Sequence, residues 1–342
     1  MKPIHVIGGG LAGLTLGIEL CSRGVPVTVN EAGDYPRHRV CGEFISGRGV
    51  EVLRRLKLTE PILHAGACEA RSAAFFVRGK ELGARPLPRP ALCISRHALD
   101  ATLAEHFRNF GGTLQTQIRE QVTDLREGTV LAAGRRARPM DDKGVRWIGL
   151  KVHARGVRLE ADLEMHIDRD AYVGICRLAD GVVNVCGLFR RPAGEPVAGM
   201  EALRGRTGSV LWRRLQEASF EQESFCAIAG LCLEPLPIDP GVCRIGDSLT
   251  MIPPITGNGM SMAFESAEIA TAPLALFAHG QRSWEHTTRV IADKLQSTFA
   301  KRLHWSQRFH HALFSTAGQD WLFPLLMRFG WSWRAAFALT RG

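Results

Sequence analysis

The sequence predicts an α/β protein with an antiparallel β-sheet inserted into it and a C-terminal helical segment. Three observations carry that prediction. Residues 4–31 run strand, glycine turn, helix, strand; residues between Trp147 and Leu188 read as a block of strands; and the sequence beyond residue 281 is helical and rich in aromatic side chains.

The first unit, IHVIGGGLAGLTLGIELCSRGVPVTVNE, is a dinucleotide-binding signature at Gly8, Gly10 and Gly13. Gly8 permits the tight turn, Gly10 lets the backbone approach a pyrophosphate, and Gly13 lets the helix pack close to the strand. Leu11 and Ala12 open that helix, whose unpaired N–H groups and positive dipole end suit phosphate without any side-chain cation. Glu31 ends the second strand, at the place where a carboxylate accepts ribose hydroxyls. A lone GxGxxG is weak evidence. Here the strand, the helix closed by Gly24, the strand Val25 to Val29 and the acid agree.

Composition narrows the classes. At 342 residues and 45% hydrophobic, the chain can bury a sizeable core. Its formal net charge of +9 comes from mixed-sign sequence with no block of five or more basic residues, a solvated surface rather than a nucleic-acid site. Nine cysteines form no CxxC pair and are odd in number, which argues against zinc and against a disulfide framework. No basic, then apolar, leader precedes the first strand. The apolar run Trp321 to Met327 is far below the ~20 residues that span a bilayer. A cytoplasmic, reduced protein is expected.

Along the chain, Val50 to Leu58 has helical spacing, and Ala73 to Val77 followed by Pro86, Pro88 and Pro90 reads as strands with irregular connections. Ser95 is an N-cap, with Leu99, Leu103 and Phe107 recurring until Gly111 and Gly112 end the helix. The strand block WIGLKVHA, VRLEADLEMHI, AYVGICRL and VVNVCGLF then interrupts the α/β pattern as a second sheet. CRIGD at 243–247 reads as a short buried strand ending in an acid, with a helix from about Gly259. The aromatic C-terminal stretch Trp321 to Phe329 reads as helices packed on the core, with a lid or a membrane-surface patch as the alternative.

Four separated segments together resemble the FAD-dependent monooxygenase superfamily, which includes hydroxylases, geranylgeranyl reductases and flavin halogenases. They are GGGLAG with Glu31; RHRVCGEFIS at 37–46; ISRHALD at 94–100; and RIGDSLTMIPPITGNGMSMAFESA at 244–267. The resemblance spans residues 1 to about 280 and implies FAD as cofactor. It implies a Rossmann-like FAD-binding domain from residues 1–70, 93–140 and 241–280. An inserted antiparallel β-sheet substrate domain would come from 71–92 and 141–240, and a C-terminal helical segment from 281–342. It further implies cofactor contacts at Arg39, Cys41, Gly42 and Arg96, at Gly246 and Asp247, and at Gly257, Asn258, Gly259 and Met260. Asp247 would accept from ribityl hydroxyls, Arg96 and Arg39 would balance charge, and the Gly257–Gly259 helix start would stabilise negative charge on the reduced ring.

For catalysis, Glu43 is the candidate proton donor and Cys41 a thiol facing the flavin, the alternative for Cys41 being a small packing residue. His153 and His166 lie in the strand block and read as satisfied strand residues. Two family features are absent. The Asp-Gly expected after the strand Thr129 to Ala132 is Ala133-Gly134, which leaves NAD(P)H or an external flavin reductase open as electron donor. The halogenase WxWxIP signature is missing, since Trp331 and Trp333 are followed by Arg334 and Ala335, which argues against halogenation. The expected function is an FAD-dependent oxidoreductase acting on an apolar small molecule, a secondary metabolite or lipid-like, by hydroxylation or dehydrogenation. The alternatives are a double-bond reductase and a non-catalytic flavin-bound metabolite carrier.

Overall fold

The computed structural model describes residues 1–121, 125–135, 144–192, 194–196, 199–235 and 237–341. The expected boundary between residues 140 and 141 lies outside them. The chain opens with β1 (Ile4–Ile7), α1 (Leu11–Cys21) and β2 (Val27–Asn30). β3 (Phe44–Ile45), α2 (Arg48–Arg55) and α3 (Thr59–His64) lead to a long hairpin, β4 (Cys68–Val77) and β5 (Lys80–Cys93). Then come α4 (Arg96–Asn109), β6 (Thr113–Gln115) and β7 (Thr129–Leu131).

The strand block is β8 (Val145–Arg155), β9 (Leu163–Asp168), β10 (Ala171–Arg177) and β11 (Val183–Pro192), followed by α5 (Val210–Leu215) and β12 (Ser219–Ala229). The chain ends in α6 (Gly259–Ala278), α7 (Trp284–Leu313), α8 (Phe323–Arg328) and α9 (Gly330–Arg341). Among the described residues no helix is long and apolar enough to cross a membrane.

A parallel sheet of order β6-β2-β1-β7 and an eight-stranded sheet of order β12-β8-β11-β10-β9-β4-β5-β3 result. The second sheet is antiparallel except at one seam, where β4 runs parallel to β9, Ala73 opposite Leu163. That seam exists because the β4–β5 hairpin comes from an earlier stretch of chain than the β8–β11 meander and docks on its edge. The strand pattern alone did not reveal this join.

α1 is apolar on every side and buried on every side, between the parallel sheet, α4 and α6. Leu14, Leu16 and Leu20 are fully enclosed, each worth roughly 1.5–3 kcal/mol over an exposed site. Gly17 is what lets α4 approach, because a Cβ there would lie 2.5 Å from the Phe107 ring. The one charge on this helix, Glu19, is buried and held by Arg55, Nη2 to Oε1 2.7 Å. Ser95 caps α4 as its sequence predicts, accepting from the Ala98 N–H at 3.1 Å.

Two local expectations change. The prolines at 86, 88 and 90 do not end the strand: β5 continues through them, and Leu87 to Pro90 bulge opposite Arg71 where no ladder donors are needed. CRIGD is not a full strand. It joins the parallel sheet by a single bridge, Leu131 to Arg244, and leaves it at Gly246, whose φ of +60° turns the chain so that Asp247 faces inward.

Candidate active site

Two helices begin on the same cavity without a side-chain cap: α1 after Gly10, and α6 after Asn258. Their free N–H groups and dipoles concentrate positive potential there. The cavity measures about 660 Å³, within the roughly 300–1,000 Å³ of small-molecule sites. It runs from the β1–α1 turn and Glu31, past Arg39, Arg135 and Asp247, to a wall from the large sheet that includes Gly149, Tyr172, Leu188 and Ile228.

The glycine turn behaves as its spacing predicts. Gly8 has φ +109° and its back lies against the Ala132 carbonyl, while a Cβ on Gly13 would overlap the Gly8 carbonyl. A Cβ on Gly10 would meet nothing within 4 Å, so the space beside it is open to a ligand. Gly13 itself does not line the cavity; it brings α1 onto the turn.

Glu31 closes one side. Its Oε2 accepts from Gly9 N–H at 2.8 Å and its Oε1 from Gly33 N–H at 2.9 Å and from Arg37 Nη1 at 2.6 Å. Burial alone would raise its pKa, but Arg37 and the two N–H groups outweigh burial and hold Glu31 at about 2. Arg37 was not foreseen; its signal is the RHR run, of which only Arg39 was singled out. Arg39 and Asn30 line the cavity with a buried Nε and a buried Oδ1 that have no hydrogen-bond partner among the described residues. These are the donor and acceptor that a bound polar group would satisfy.

Arg96 lines the cavity, but its fork is taken by Asp100, Nε to Oδ1 2.6 Å and Nη2 to Oδ2 2.8 Å. Burial works against its charge, and Asp100 more than restores it. Asp247 faces the cavity 3.7 Å from Arg135 Nε; its enclosure raises its pKa, with Arg135 and Arg96 opposing. Arg135, the residue after the Ala133-Gly134 departure, also donates to the Val40 carbonyl at 3.0 Å.

Cys41, Gly42 and Glu43 form one wall. Burial raises the Cys41 thiol. Glu43 holds a φ of +55°, and its carboxylate is occupied: Oε1 accepts from Arg96 N–H at 2.9 Å, Oε2 lies 2.7 Å from His153 Nε2, and Lys151 Nζ sits 3.5 Å from Oε1. His153 therefore joins the cavity wall through Glu43. His166 is elsewhere, 3.0 Å from Glu164 and stacked on Phe76. His38, Glu43 and His153 could in principle hold a metal, but Lys151 Nζ lies 3.1 Å from His38 Nδ1 and already places an ammonium among them.

Gly246, Gly257, Gly259 and Met260 line the cavity; Asn258 does not. Its side chain is buried and donates to the Thr340 carbonyl at 2.9 Å, which ties the start of α6 to the end of α9. Arg341 reinforces this, donating to Ser46 Oγ at 2.9 Å and to the Thr256 carbonyl. The C-terminal segment thus packs on the core through Phe323, Met327, Trp333 and Phe337, while Trp321, Leu325 and Trp331 stay exposed on its other face.

Two uncapped helix starts on one elongated cavity, with an acid at one end and apolar strands at the other, suit an extended dinucleotide. Residues 1–144 match the family model for the FAD binding domain. No curated protein matches. Among solved structures, the chain is similar to flavin-dependent brominase Bmp2, at 16% identity and TM-score 0.72, covering 99% of this chain and 93% of that one. It is similar to PqsL of P. aeruginosa in complex with 2-aminobenzoylacetate, at 15% and 0.71, covering 94% and 99%. It is also similar to halogenase PltM in complex with phloroglucinol and FAD, at 14% and 0.76, covering 98% and 85%. The family model marks residues 1–144 as an FAD binding domain, with FAD as the cofactor, and the solved structures share the fold of nearly the whole chain. The likeness to these flavin-dependent proteins is one of fold.

Proposed function

We propose that this protein is a monooxygenase that inserts oxygen into an apolar, aromatic small molecule. The reading rests on the wall of the cavity contributed by the large sheet and the loop before α6: Tyr172, Leu188, Ile228, Leu231, Met251 and Ile252 offer apolar surface and no free carboxylate or imidazole. Bound FAD supplies the redox chemistry with molecular oxygen. The chain's own residues bind and orient: the α1 start and Arg39 take the pyrophosphate, Glu31 the ribose, Asp247 the ribityl chain, and the α6 start the edge of the ring that gains charge. Residues 71–92 and 141–240 hold the substrate, and their apolar side chains exclude water. In this reading Glu43 positions the Cys41–Gly42 wall through Arg96 and His153. Electrons come from NAD(P)H or a separate flavin reductase.

The structures of PqsL with 2-aminobenzoylacetate and of PltM with phloroglucinol suggest the aromatic class. The halogenase neighbours supply a second reading, transfer of halide rather than oxygen, which the missing WxWxIP disfavours. Both are tested together. FAD-loaded protein is reduced without air, then mixed with isotopically labelled oxygen, bromide and a panel of phenols and anilines. Products carrying the oxygen label support the proposal; brominated products, or reoxidation that leaves every aromatic unchanged, overturn it.

A further inference from the structure

Three thiols from separate stretches of chain meet beside the cavity wall. Cys68, the first residue of β4, stands directly across from Cys93, the last of β5. Directly opposed residues on an antiparallel pair have Cβ atoms about 4.5–5.5 Å apart, close to what a disulfide needs. Cys93 is buried and also contacts Cys176 on β10, whose Sγ donates to the Gly42 carbonyl at 3.2 Å. Cys68 is half-buried and within reach of solvent, its Sγ 3.3 Å from the Arg177 carbonyl.

We propose that Cys68 and Cys93 form a peroxide-oxidised dithiol site, with Cys68 the reacting thiol and Cys93 the resolving one. The Cys68 thiolate attacks hydrogen peroxide, the O–O bond breaks, and sulfenic acid and hydroxide form, the hydroxide taking from solvent the proton that the thiol had released and becoming water. The Cys93 sulfur then attacks the Cys68 sulfur, its proton leaves with the hydroxyl as a second water, and the S–S bond closes. Two thiols are oxidised and one peroxide is reduced to two waters.

The thiols around the molecule point the same way. Burial pushes up Cys21, Cys41, Cys186, Cys226 and Cys243. Cys68 goes down to about 7, because its hydrogen bond with Cys93 and, less strongly, Arg177 outweigh partial burial and the nearby Asp162. Cys93 is pushed well up by its contacts with Cys176 and Cys68 and by burial. Of the two sulfurs the accessible one is the more acidic and the enclosed one the less, the order the two steps require.

The test uses full-length, FAD-loaded protein. At pH 7 Cys68 should alkylate on the order of tenfold faster than an unperturbed thiol. One equivalent of hydrogen peroxide, followed by alkylation and peptide mass mapping, should give a Cys68–Cys93 cross-link reversed by dithiothreitol. Cys93→Ser should leave a sulfenic acid on Cys68 that dimedone traps, and Cys68→Ser should abolish both products. Oxidation that falls first on another cysteine, or that carries Cys68 to sulfinic acid in the wild-type protein without the cross-link, overturns the proposal. If Cys93→Ser fails to fold, the wild-type cross-link and its absence in Cys68→Ser decide alone.

Discussion

Glu43 Oε2 lies 2.7 Å from His153 Nε2, and neither side chain is open to water. The contact joins the loop between β2 and β3 to the far end of β8, and so joins the nucleotide-binding part of the chain to the large sheet. Lys151, fully buried, shares the Glu43 carboxylate at 3.5 Å. Removing one member of a buried charge cluster costs more than the cluster contributes, because the remaining charge is left uncompensated. Glu43→Ala should lower unfolding stability by about 3–5 kcal/mol in urea titrations, and Glu43→Gln by less, since the amide keeps one acceptor for the Arg96 N–H. Equal losses in the two variants would refute this assignment.

Gly10 and Gly13 should separate binding from folding. Gly13→Ala drives its Cβ into the Gly8 carbonyl and should unfold or severely destabilise the protein. Gly10→Ala meets no protein atom within 4 Å, so the apo-protein should melt within a few degrees of wild type. Its affinity for FAD should nonetheless fall at least tenfold, about 1.4 kcal/mol, as read by flavin fluorescence. A Gly10→Ala protein with unchanged affinity would show that the pyrophosphate lies elsewhere.

Acid should weaken the fold well before the carboxylates titrate. His310 is held at about 3 by burial, then by His311 and Arg190, and His38 at about 4 by burial, then by Lys151. Both bind protons in the unfolded chain from about 6.5 downward and not in the folded one. Their contribution is complete above 6.5 and is lost as pH falls from there toward 4 and 3. Glu31, held at about 2, adds a second loss between about 4.5 and 2. Melting temperatures should decline from pH 6.5 to 4, and His310→Phe should flatten the upper part of that decline. A flat profile over that range would contradict the burial of both imidazoles.

Asn258 and Thr340 tie the start of α6, which in the proposed reading faces the flavin, to the end of the chain. Asn258→Ala leaves a buried carbonyl without its donor and should destabilise by about 1–3 kcal/mol, while weakening FAD more than it weakens ADP. Calorimetric titration of both ligands gives the comparison, and equal effects on the two would place Asn258 outside the flavin end.

The sequence was most legible where one residue type has one job. The glycine turn, the Ser95 cap and the four strands from Trp147 onward follow from local sterics and period, and the structure repeats them. Less legible was what long-range packing decides. Asn258 sits in a glycine-rich helix start that reads as ligand-binding, yet its amide is claimed by Thr340, a residue 82 positions later. Arg37 differs from Arg39 only in which of them reaches Glu31 most closely, and no pattern encodes that. The parallel β4–β9 seam, likewise, pairs strands whose own sequences specify only that each has a buried face.

In the proposed reading one cavity holds one FAD along its whole length, ribose at Glu31 and ring at the start of α6. Equilibrium titration of the apo-protein with FAD, FMN and ADP tests it most directly, because each fragment fills one end. FAD should bind with unit stoichiometry and at least ~100-fold more tightly than either fragment, about 2.7 kcal/mol or more. FAD binding no tighter than the better of the two fragments would contradict it.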